Sequence, residues 1–393
     1  MQSEKFDIII SGGGMAGLSL VYRALKEGIW SGQKILIIEK DKKDQNDRTW
    51  CFWQKDEERS PFEEIIFRKW SDLLFFTNQG EKIKLATGTY GYKMIRSIDF
   101  YKHVLSFIEK FDQVSFINQD VKSVIGKADG AEVNTIERTY YAKYVFNSVY
   151  VKPTLKSHDQ YFLQHFKGVT IQTSEFNEEP SQINFMDFRT SQKNGATFFY
   201  TLPLSRTEIF TEYTIFSKNL LTQEEYDAGI QEYIDKTLKI NNYKIIEEEF
   251  GVIPMTDFSF QRRSGNVINI GSAGGDTRAS TGYTFLNTQK TVSKIIKSFK
   301  ENNHPFFKPE NISRKHKLLD ATILNVFDAG YYPGDEIFTD LFKNVAAKTI
   351  FKFLDSESSI LDDLKIMTSL RAKYFIGPFL KVLANKQDYF KNS

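Results

Sequence analysis

The chain has little cysteine, almost no net charge and no long apolar run. Cys51 is the single cysteine in 393 residues, which excludes an internal disulfide and a cysteine cluster for metal. A formal net charge of +2 gives no argument for a nucleic-acid partner. His103 and His165 have no partner at metal-ligand spacing, and there is no run of about 18 uncharged apolar residues that could span a membrane. We therefore expect a protein of the cytoplasm, without metal or nucleic acid.

Aromatic residues, in contrast, are abundant, with 35 Phe, 19 Tyr and 4 Trp. Their side chains are large apolar surfaces whose ring faces carry negative potential. They suit either an ordinary phenylalanine-rich core or a lining that stabilises positive charge in a substrate. Composition alone leaves both interpretations open.

The N-terminal segment carries a nucleotide-binding pattern. An apolar run at 6–10 precedes G-x-G-x-x-G, whose glycines are Gly12, Gly14 and Gly17. A second apolar run ends in Glu39, 22 residues after Gly17, close to the spacing of about 20 at which an acid binds ribose hydroxyls. Gly12 permits a tight turn, Gly14 close approach of a pyrophosphate, and Gly17 close packing of the helix on the strand. An adenine dinucleotide is predicted at this helix N-terminus, and no cleaved leader is expected ahead of it.

The pattern changes twice along the chain. Residues 1–165 predict the first part of a nucleotide-binding domain, and strand signals dominate 166–258. A buried strand and a glycine-rich loop resume the first pattern over 259–310, and 311–393 is predicted to be helical. A nucleotide-binding sheet interrupted by a strand-rich insert is typical of flavoproteins rather than of simple NAD dehydrogenases.

Five further segments follow in order: DRTWCFW at 47–53, FMDF at 185–188, FFYTLPL with FTEYT at 198–214, EFGVIPM at 249–255, and GSAGG with STGYTF at 271–285. They resemble the lycopene cyclase family in its bacterial β-cyclase type, a branch of FAD-binding proteins. The resemblance implies an α/β fold with an FAD-binding Rossmann-like domain of the glutathione-reductase type. A strand-rich substrate domain and a helical C-terminal region, with possible membrane contact, complete the expected architecture.

The resemblance also implies reduced FAD as cofactor and NAD(P)H as its electron donor. Arg48 and Arg96 are candidates for the flavin phosphates, with a surface position for each left open, and the backbone of Val121 is a candidate for adenine. The residues predicted to bind the cofactor are Gly12, Gly14, Met15, Ala16, Gly17, Glu39, Lys40, Arg48, Arg96, Val121, Gly271, Gly274, Gly275, Thr281 and Gly282.

Two positions depart from related flavoproteins. Ser272 stands where many have an aspartate that holds the ribityl chain, and the nearest acid is Asp276. Asn147 stands where an aspartate is common. Both departures weaken the case for ordinary redox flavin chemistry more than they weaken flavin binding.

Glu212 is the predicted catalytic acid. In a strand, Phe210, Glu212 and Thr214 share one face, and a carboxyl set between phenylalanines is desolvated, which raises its pKa. A carboxylic acid that stays protonated near neutral pH can act as a general acid. The alternative is a solvent-facing glutamate paired with a lysine, and the resemblance favours the acid.

Two further carboxyl groups are catalytic candidates. Asp187 could orient or polarise the acid, or it could simply pair with Arg189. Glu249 begins a motif whose glycine and proline fix a close turn, and its role is equally open. The residues predicted to line the substrate site are Trp53, Phe198, Tyr213 and Tyr283.

The implied reaction is a non-redox isomerisation, formally that of an intramolecular lyase. A protonated acid delivers its proton to the terminal double bond of lycopene, a linear C40 polyene, and the next double bond attacks the cation to close a six-membered ring. Proton loss then gives a β-ionone ring, at one end in γ-carotene and at both ends in β-carotene. Aromatic faces could each stabilise a desolvated cation by about 2 kcal/mol or more. The rival interpretations are an FAD-dependent hydroxylase or reductase, and a non-catalytic isoprenoid-binding protein of the same fold.

Lycopene is confined to lipid, so the resemblance also implies peripheral contact with the inner membrane. The segment 371–386 carries four basic residues and no acid, which suits a helix at an anionic interface. A helix docked on the protein core fits the same pattern, and both interpretations stay open.

Overall fold

The computed structural model describes residues 5–174, 176, 179–308 and 314–386. In chain order its strands are β1 Lys5–Ser11, β2 Ile35–Glu39, β3 Thr49–Lys55, β4 Arg68–Trp70, β5 Asp72–Phe76, β6 Lys82–Lys84, β7 Tyr90–Arg96, β8 Val114–Asn118, β9 Val121–Gly126, β10 Ala131–Thr135, β11 Thr139–Asn147, β12 Tyr161–Gln172, β13 Gln182–Asp187, β14 Ala196–Pro203, β15 Glu208–Ser217, β16 Lys244–Thr256, β17 Arg263–Ser264 and β18 Val267–Asn269. Its α-helices are α1 Met15–Lys26, α2 Ser97–Ile108, α3 Gln223–Glu232, α4 Phe285–Asn302, α5 Arg314–Ala329, α6 Gly334–Asn344, α7 Ala347–Leu354, α8 Ile360–Ser369 and α9 Lys373–Asn385.

The first sheet has the strand order β17-β18-β11-β1-β2-β8, in which the strands from β18 to β8 are parallel. β17 pairs antiparallel with β18, and β9 and β10 are also added by antiparallel pairing. Ile8, Ile9 and Ile10 of β1 are fully buried, because a central parallel strand is covered on both faces and therefore forms an unbroken apolar run. Late in the chain, β18 pairs in parallel with β11. The sheet that begins at the N-terminus thus continues at 267–269, inside the range 259–310 predicted to resume the nucleotide-binding pattern.

The second sheet has the order β16-β12-β15-β14-β13-β5-β6. Its strands from β12 to β16 pair antiparallel, whereas β5 joins β13 in parallel. The segment 72–84 therefore belongs to the strand-rich sheet, although it lies within the range 1–165 predicted for the cofactor domain. The predicted boundary at residue 165 does not separate the two sheets, because a parallel pairing between distant segments leaves no local pattern.

Helices α5 to α9 cover one face of the second sheet, and α3 packs on the other. On the first face, Phe185 and Phe198 share a core with Phe342 and Phe351. On the opposite face, Ile215 and Phe199 pack with residues of α3. No helix in the described part of the chain is both long and apolar enough to cross a membrane. The fold is α/β, with the expected helical C-terminal region.

Candidate active site

A cavity of about 620 Å³ lies at the carboxyl ends of the parallel strands β1 and β2 and extends to the second sheet. Its volume is within the range of small-molecule sites, and its position is where open α/β sheets bind ligands. Most of the residues predicted to bind the cofactor line it: Gly12, Gly14, Met15, Ala16, Glu39, Lys40, Arg48, Val121, Gly271, Thr281 and Gly282. We call it the cofactor cavity.

The glycine loop has the geometry that an adenine dinucleotide requires. Gly12 has a φ of +96°, and a Cβ at Gly17 would lie 2.2 Å from the carbonyl oxygen of Gly12, so both need glycine for the fold. A Cβ at Gly14 would meet nothing within 4 Å, which leaves this position open for a ligand. Glu39 is buried, and its Oε2 accepts a 2.7 Å hydrogen bond from the Gly13 amide. The residues present therefore fit FAD.

Four predicted cofactor residues do not line this cavity. Gly17, Gly274 and Gly275 lie behind its surface, in the packing of α1 and in the second glycine loop. Arg96 is held by two hydrogen bonds to Asp99, of 2.7 and 3.0 Å, and its guanidinium lies 3.8 Å from the ring centre of Phe67. Arg96 therefore does not line the cavity, because a nearby carboxylate and an aromatic ring hold its side chain, and its contact with the flavin phosphates stays a prediction.

The second glycine loop presents a hydroxyl, and no carboxylate, to the cavity. Ser272 lines the cavity. Asp276 is buried behind it, where it accepts hydrogen bonds of 2.7 Å from the Gly271 amide and from Arg262. Asp276 thus holds the loop together and does not replace the missing acid at position 272.

Glu212 and Glu249 share one face of the second sheet, on either side of Gly168. In the register of the strands, Gly168 of β12 is opposite Glu212 of β15 and also opposite Glu249 of β16. A Cβ at Gly168 would lie 2.7 Å from the Phe210 ring and 3.0 Å from the Cγ of Glu249. The absence of a side chain at Gly168 therefore lets Phe210 and Glu249 close over the strand beside Glu212.

Both carboxyl groups are buried, and burial raises the pKa of each above its ordinary value. For Glu212 the second cause is the nearby charge of Glu249, opposed by a 2.5 Å hydrogen bond from the Thr214 hydroxyl. The pKa of Glu249 is held down in part by a 2.6 Å hydrogen bond from Thr49. Glu212 lines the cofactor cavity, whereas Glu249 lies behind Thr49, which lines it. Of the two carboxyl groups, Glu212 is therefore the one that its surroundings keep protonated.

Two predicted residues lie on the opposite face of the same sheet. Asp187 is fully buried, bound to Arg189 at 2.6 Å and to the Tyr233 hydroxyl at 2.7 Å. Tyr213 stacks on Phe199 with ring centres 4.7 Å apart, in the core beneath α3. The predictions of Asp187 as a catalytic residue and of Tyr213 as a lining residue are therefore wrong, because the sheet separates both from the Glu212 face.

A second cavity of about 320 Å³, lined almost entirely by apolar side chains, lies between the second sheet and helices α5 to α9. Phe198 and Tyr283 line it, as predicted. Trp53 does not: its indole N–H donates to Asp355 at 2.8 Å, and its ring packs 4.3 Å from that of Tyr283. Trp53 therefore supports a lining residue from behind. We call this space the apolar cavity.

Sequence analysis missed several residues of the site. Tyr200 is opposite Glu212 in the pairing of β14 with β15, and lines both cavities. Gly168 carried a usable signal, since a glycine inside a strand pattern marks a close approach. Thr214 carried one too, since it shares a strand face with Glu212 two residues away. Thr49 carried none, because its contact with Glu249 depends on which segments become neighbours.

The comparisons with known proteins place the chain in a family. Residues 7–382 match the family model described as lycopene cyclase protein. The chain is 24% identical over 307 residues to a chloroplastic lycopene beta cyclase of Arabidopsis thaliana, a match that covers 73% of this chain and 58% of the relative. It is 26% identical over 327 residues to a chloroplastic neoxanthin synthase of Solanum lycopersicum, with 76% and 61% covered. The chain thus spans about three fifths of the length of these relatives.

Solved structures agree on the fold. A geranylgeranyl bacteriochlorophyll reductase-like protein of Thermoplasma acidophilum has a TM-score of 0.59 at 14% identity, over 97% of this chain and 99% of that chain. A flavoprotein/dehydrogenase of Cytophaga hutchinsonii has a TM-score of 0.58 at 13% identity, over 93% and 100%. At such identities these neighbours establish a flavoprotein fold alone. The match of the family model over nearly the whole length identifies the chain as a member of the lycopene cyclase family.

Proposed function

We propose that the chain is a lycopene β-cyclase that closes the linear ends of lycopene into β-ionone rings by acid catalysis, without net oxidation. The observation that carries the proposal is the position of Glu212. It is a buried carboxyl group with a raised pKa, at the cavity wall where a flavoprotein-type site adjoins an apolar cavity. A neutral carboxylic acid in such a place can protonate an alkene, which has no lone pair to attract it.

Glu212 donates its proton to the terminal double bond of the polyene. The next double bond attacks the resulting cation and closes the ring, and a ring proton is then lost to the Glu212 carboxylate, so that atoms and electrons balance and the acid is regenerated. Thr214 holds the carboxylate by its hydroxyl. Glu249, which does not line either cavity, acts as a positioning residue whose negative charge keeps the proton on Glu212.

The aromatic wall of the apolar cavity offers the linear polyene a water-free place to lie, next to the junction with the cofactor cavity. Phe185, Phe198 and Phe216 contribute to this wall from the sheet, and Phe338 and Phe342 from the helices. The rings of Tyr200 and Tyr283 line both cavities, and a ring face within about 6 Å of a cation stabilises it by about 2 kcal/mol or more when both are desolvated. This wall gives part of the aromatic excess in the composition a use beyond packing.

FAD would fit the cofactor cavity, where the α1 amides would face its pyrophosphate and Glu39, which accepts a hydrogen bond from the Gly13 amide, would approach its ribose. Arg48 lines the same cavity and offers a positive charge to the phosphates. When bound in its reduced form, with NAD(P)H as electron source, the cofactor supplies negative charge near the cation. The chain itself supplies the proton.

Expression of the chain in a bacterial host that accumulates lycopene tests the function directly. We expect cyclic carotenes in the extracted pigments, and ring formation by the purified chain with chemically reduced FAD in the absence of oxygen. A cyclase consumes no stoichiometric NAD(P)H, since the reaction has no net redox change. Unchanged lycopene in both assays contradicts the proposal, and an oxygen-dependent product indicates the hydroxylase alternative.

We also propose that the chain takes its substrate from the inner membrane at the surface of α8 and α9. Met367, Ile376 and Leu380 line the apolar cavity and are each about half exposed, so the cavity opens on this surface. Ile360 and Leu361 extend the exposed apolar patch, with 74% and 70% of their surface exposed. The occupant that we propose for this patch is an anionic phospholipid bilayer, because Lys373 and Lys381 of α9 are exposed beside it. The other two basic residues of the segment, Arg371 and Lys386, are paired with carboxylates of the protein.

The double variant Ile376→Glu, Leu380→Glu is expected to bind vesicles of phosphatidylglycerol and phosphatidylcholine about tenfold or more weakly. The change removes two apolar side chains that insert into the bilayer and adds two negative charges that anionic lipid repels. Sedimentation of the protein with the vesicles measures this binding. The matched control is Ile136→Glu, which changes an isoleucine that is 75% exposed on the first sheet, far in sequence from α9. Equal binding by all three proteins, or none by the unsubstituted chain, contradicts the membrane proposal.

A further inference from the structure

Tyrosine hydroxyls meet where the cofactor cavity joins the apolar cavity. Tyr200 and Tyr283 line both cavities, and their hydroxyl oxygens lie 3.3 Å apart. Tyr92 lines the cofactor cavity and interacts with Tyr283. Glu212 is on the cofactor side. An end group that enters from the apolar cavity therefore reaches Glu212 past the Tyr200–Tyr283 pair.

Tyr283 is fixed by its surroundings. Its ring packs edge-on against Trp53 at 4.3 Å between ring centres. Trp53 is itself stacked on Phe351 at 4.7 Å and is bonded through its indole N–H to Asp355 at 2.8 Å. This support leaves the hydroxyl of Tyr283 at a defined position in the junction.

Tyr200 is fixed on the other side of the junction. Strand pairing places it directly opposite Glu212, on the same face of the sheet. Its ring packs edge-on against Phe185 and Phe198, with ring centres 5.7 and 5.4 Å apart. The two hydroxyls therefore flank the point at which the end group must meet the acid.

The chemistry of the junction suits a cation. Burial raises the pKa of Tyr200 and of Tyr283 well above the usual range, so both hydroxyls stay neutral. Neutral hydroxyl oxygens offer lone-pair density to a cation, whereas a phenolate would compete as base or form a bond to it. After ring closure, the cationic carbon has hydrogens on three neighbours: the ring methine, the ring methylene and the methyl group. Which of them loses a proton decides where the ring double bond forms.

We propose, on the basis of the cyclase function proposed above, that the fixed hydroxyls of Tyr200 and Tyr283 orient the ring cation so that one of these three carbons faces the Glu212 carboxylate. The C–H bond at that carbon breaks, its electron pair becomes the ring double bond, and the proton returns to Glu212. No oxidant or further reactant enters. The pair is thus a determinant of the ring isomer formed.

The variants Tyr200→Phe and Tyr283→Phe test this inference, because they keep the rings and remove one hydroxyl each. For either variant we expect the ratio of minor to major ring isomers to rise by about tenfold, the effect of losing about 1.4 kcal/mol of discrimination. The double variant is expected to show the same rise as each single variant, because removal of either partner already breaks the pair. Chromatography of the pigments from the lycopene-accumulating host measures the ratio, and bound flavin and near-ultraviolet circular dichroism report folding.

The matched control is Tyr90→Phe, a buried tyrosine of the same core that lines neither cavity. An unchanged isomer ratio in the tyrosine-pair variants, even at a lower rate, overturns the inference while leaving the cyclase function intact. If the changes in isomer ratio caused by the two single variants multiply in the double variant, the two hydroxyls act separately and do not work as a pair, which overturns the inference. Absence of any ring product from the unsubstituted chain overturns the proposed function, and this inference with it.

Discussion

Replacing Glu212 with glutamine is expected to lower the rate of ring formation by about 10²–10⁴-fold, the usual contribution of a positioned general acid. The amide has nearly the same shape and can still accept the hydrogen bond from Thr214, but it has no proton acidic enough to give to an alkene. Flavin content is expected to stay unchanged, because the glycine loop and Glu39 lie on the first sheet. Pigment analysis in the lycopene-accumulating host, with bound flavin measured by absorbance, checks both expectations.

Glu208→Gln is the matched control, since Glu208 begins the same strand but is partly exposed and lines neither cavity. It should retain the full rate. Full activity of the Glu212→Gln variant would remove the acid from the mechanism and favour the isoprenoid-binding alternative.

The acid role also fixes the direction of the pH dependence. Only protonated Glu212 can react, so the rate is retained at low pH and is lost as the pH rises through its pKa, which burial and Glu249 place above the ordinary value of about 4.3. The free energy of unfolding also falls as the pH rises through the pKa of Glu212, because ionising a buried carboxyl destabilises the fold. With Glu249→Gln, the alkaline limb of the profile should move to lower pH, since one cause of the raised pKa is removed.

Replacing Gly14 with alanine is expected to abolish flavin binding in a chain that still folds. The added Cβ would meet nothing within 4 Å, and Gly14 has a φ of −81°, which alanine adopts without strain. It would, however, stand in the space that the pyrophosphate must approach. Flavin absorbance after reconstitution, together with thermal unfolding of the flavin-free protein, measures the two effects separately.

Gly17→Ala provides the contrasting control. Its Cβ would lie 2.2 Å from the Gly12 carbonyl oxygen and 2.7 Å from Ile10, so we expect the flavin-free protein itself to be destabilised. If Gly14→Ala binds flavin as tightly as the unsubstituted chain, the pyrophosphate does not lie at this loop, and the proposed cofactor position is wrong.

The cofactor half of the site could be predicted from sequence because its determinants are local. The turn at Gly12, the packing at Gly17 and the acid at Glu39 lie within two strands and one helix. They act mainly through backbone geometry, which a short motif can encode.

The catalytic half was predictable only where it depended on alternation within one strand. Alternation placed Phe210, Glu212 and Thr214 on one face, as observed. The same rule already puts Tyr213 on the other face, so its prediction as a lining residue was avoidable. Asp187 was not: its face relative to Glu212 depends on the pairing of β13, which shifts register between Asn184 and Asp187.

The acid pair itself lay beyond sequence reasoning. Glu212 and Glu249 belong to β15 and β16, which are not neighbours in the sheet order. They come together on one face because both pair with Gly168 of β12. Gly168 signals that something approaches closely, but the identity of its two neighbours follows from strand order. Strand order is set by contacts between segments that are distant along the chain.

The parallel pairing of β5 with β13 has a consequence for biosynthesis. The apolar strand at 72–76 leaves the ribosome more than a hundred residues before its partner at 182–187. During that interval its backbone groups have no partner on that edge, and Leu73, Leu74 and Phe75 remain open to association with other chains. Such long-range parallel contacts also slow folding, because loop closure must precede any gain from pairing. The nascent chain is therefore most vulnerable to aggregation before the substrate sheet can form, and chaperone demand should be concentrated in that interval.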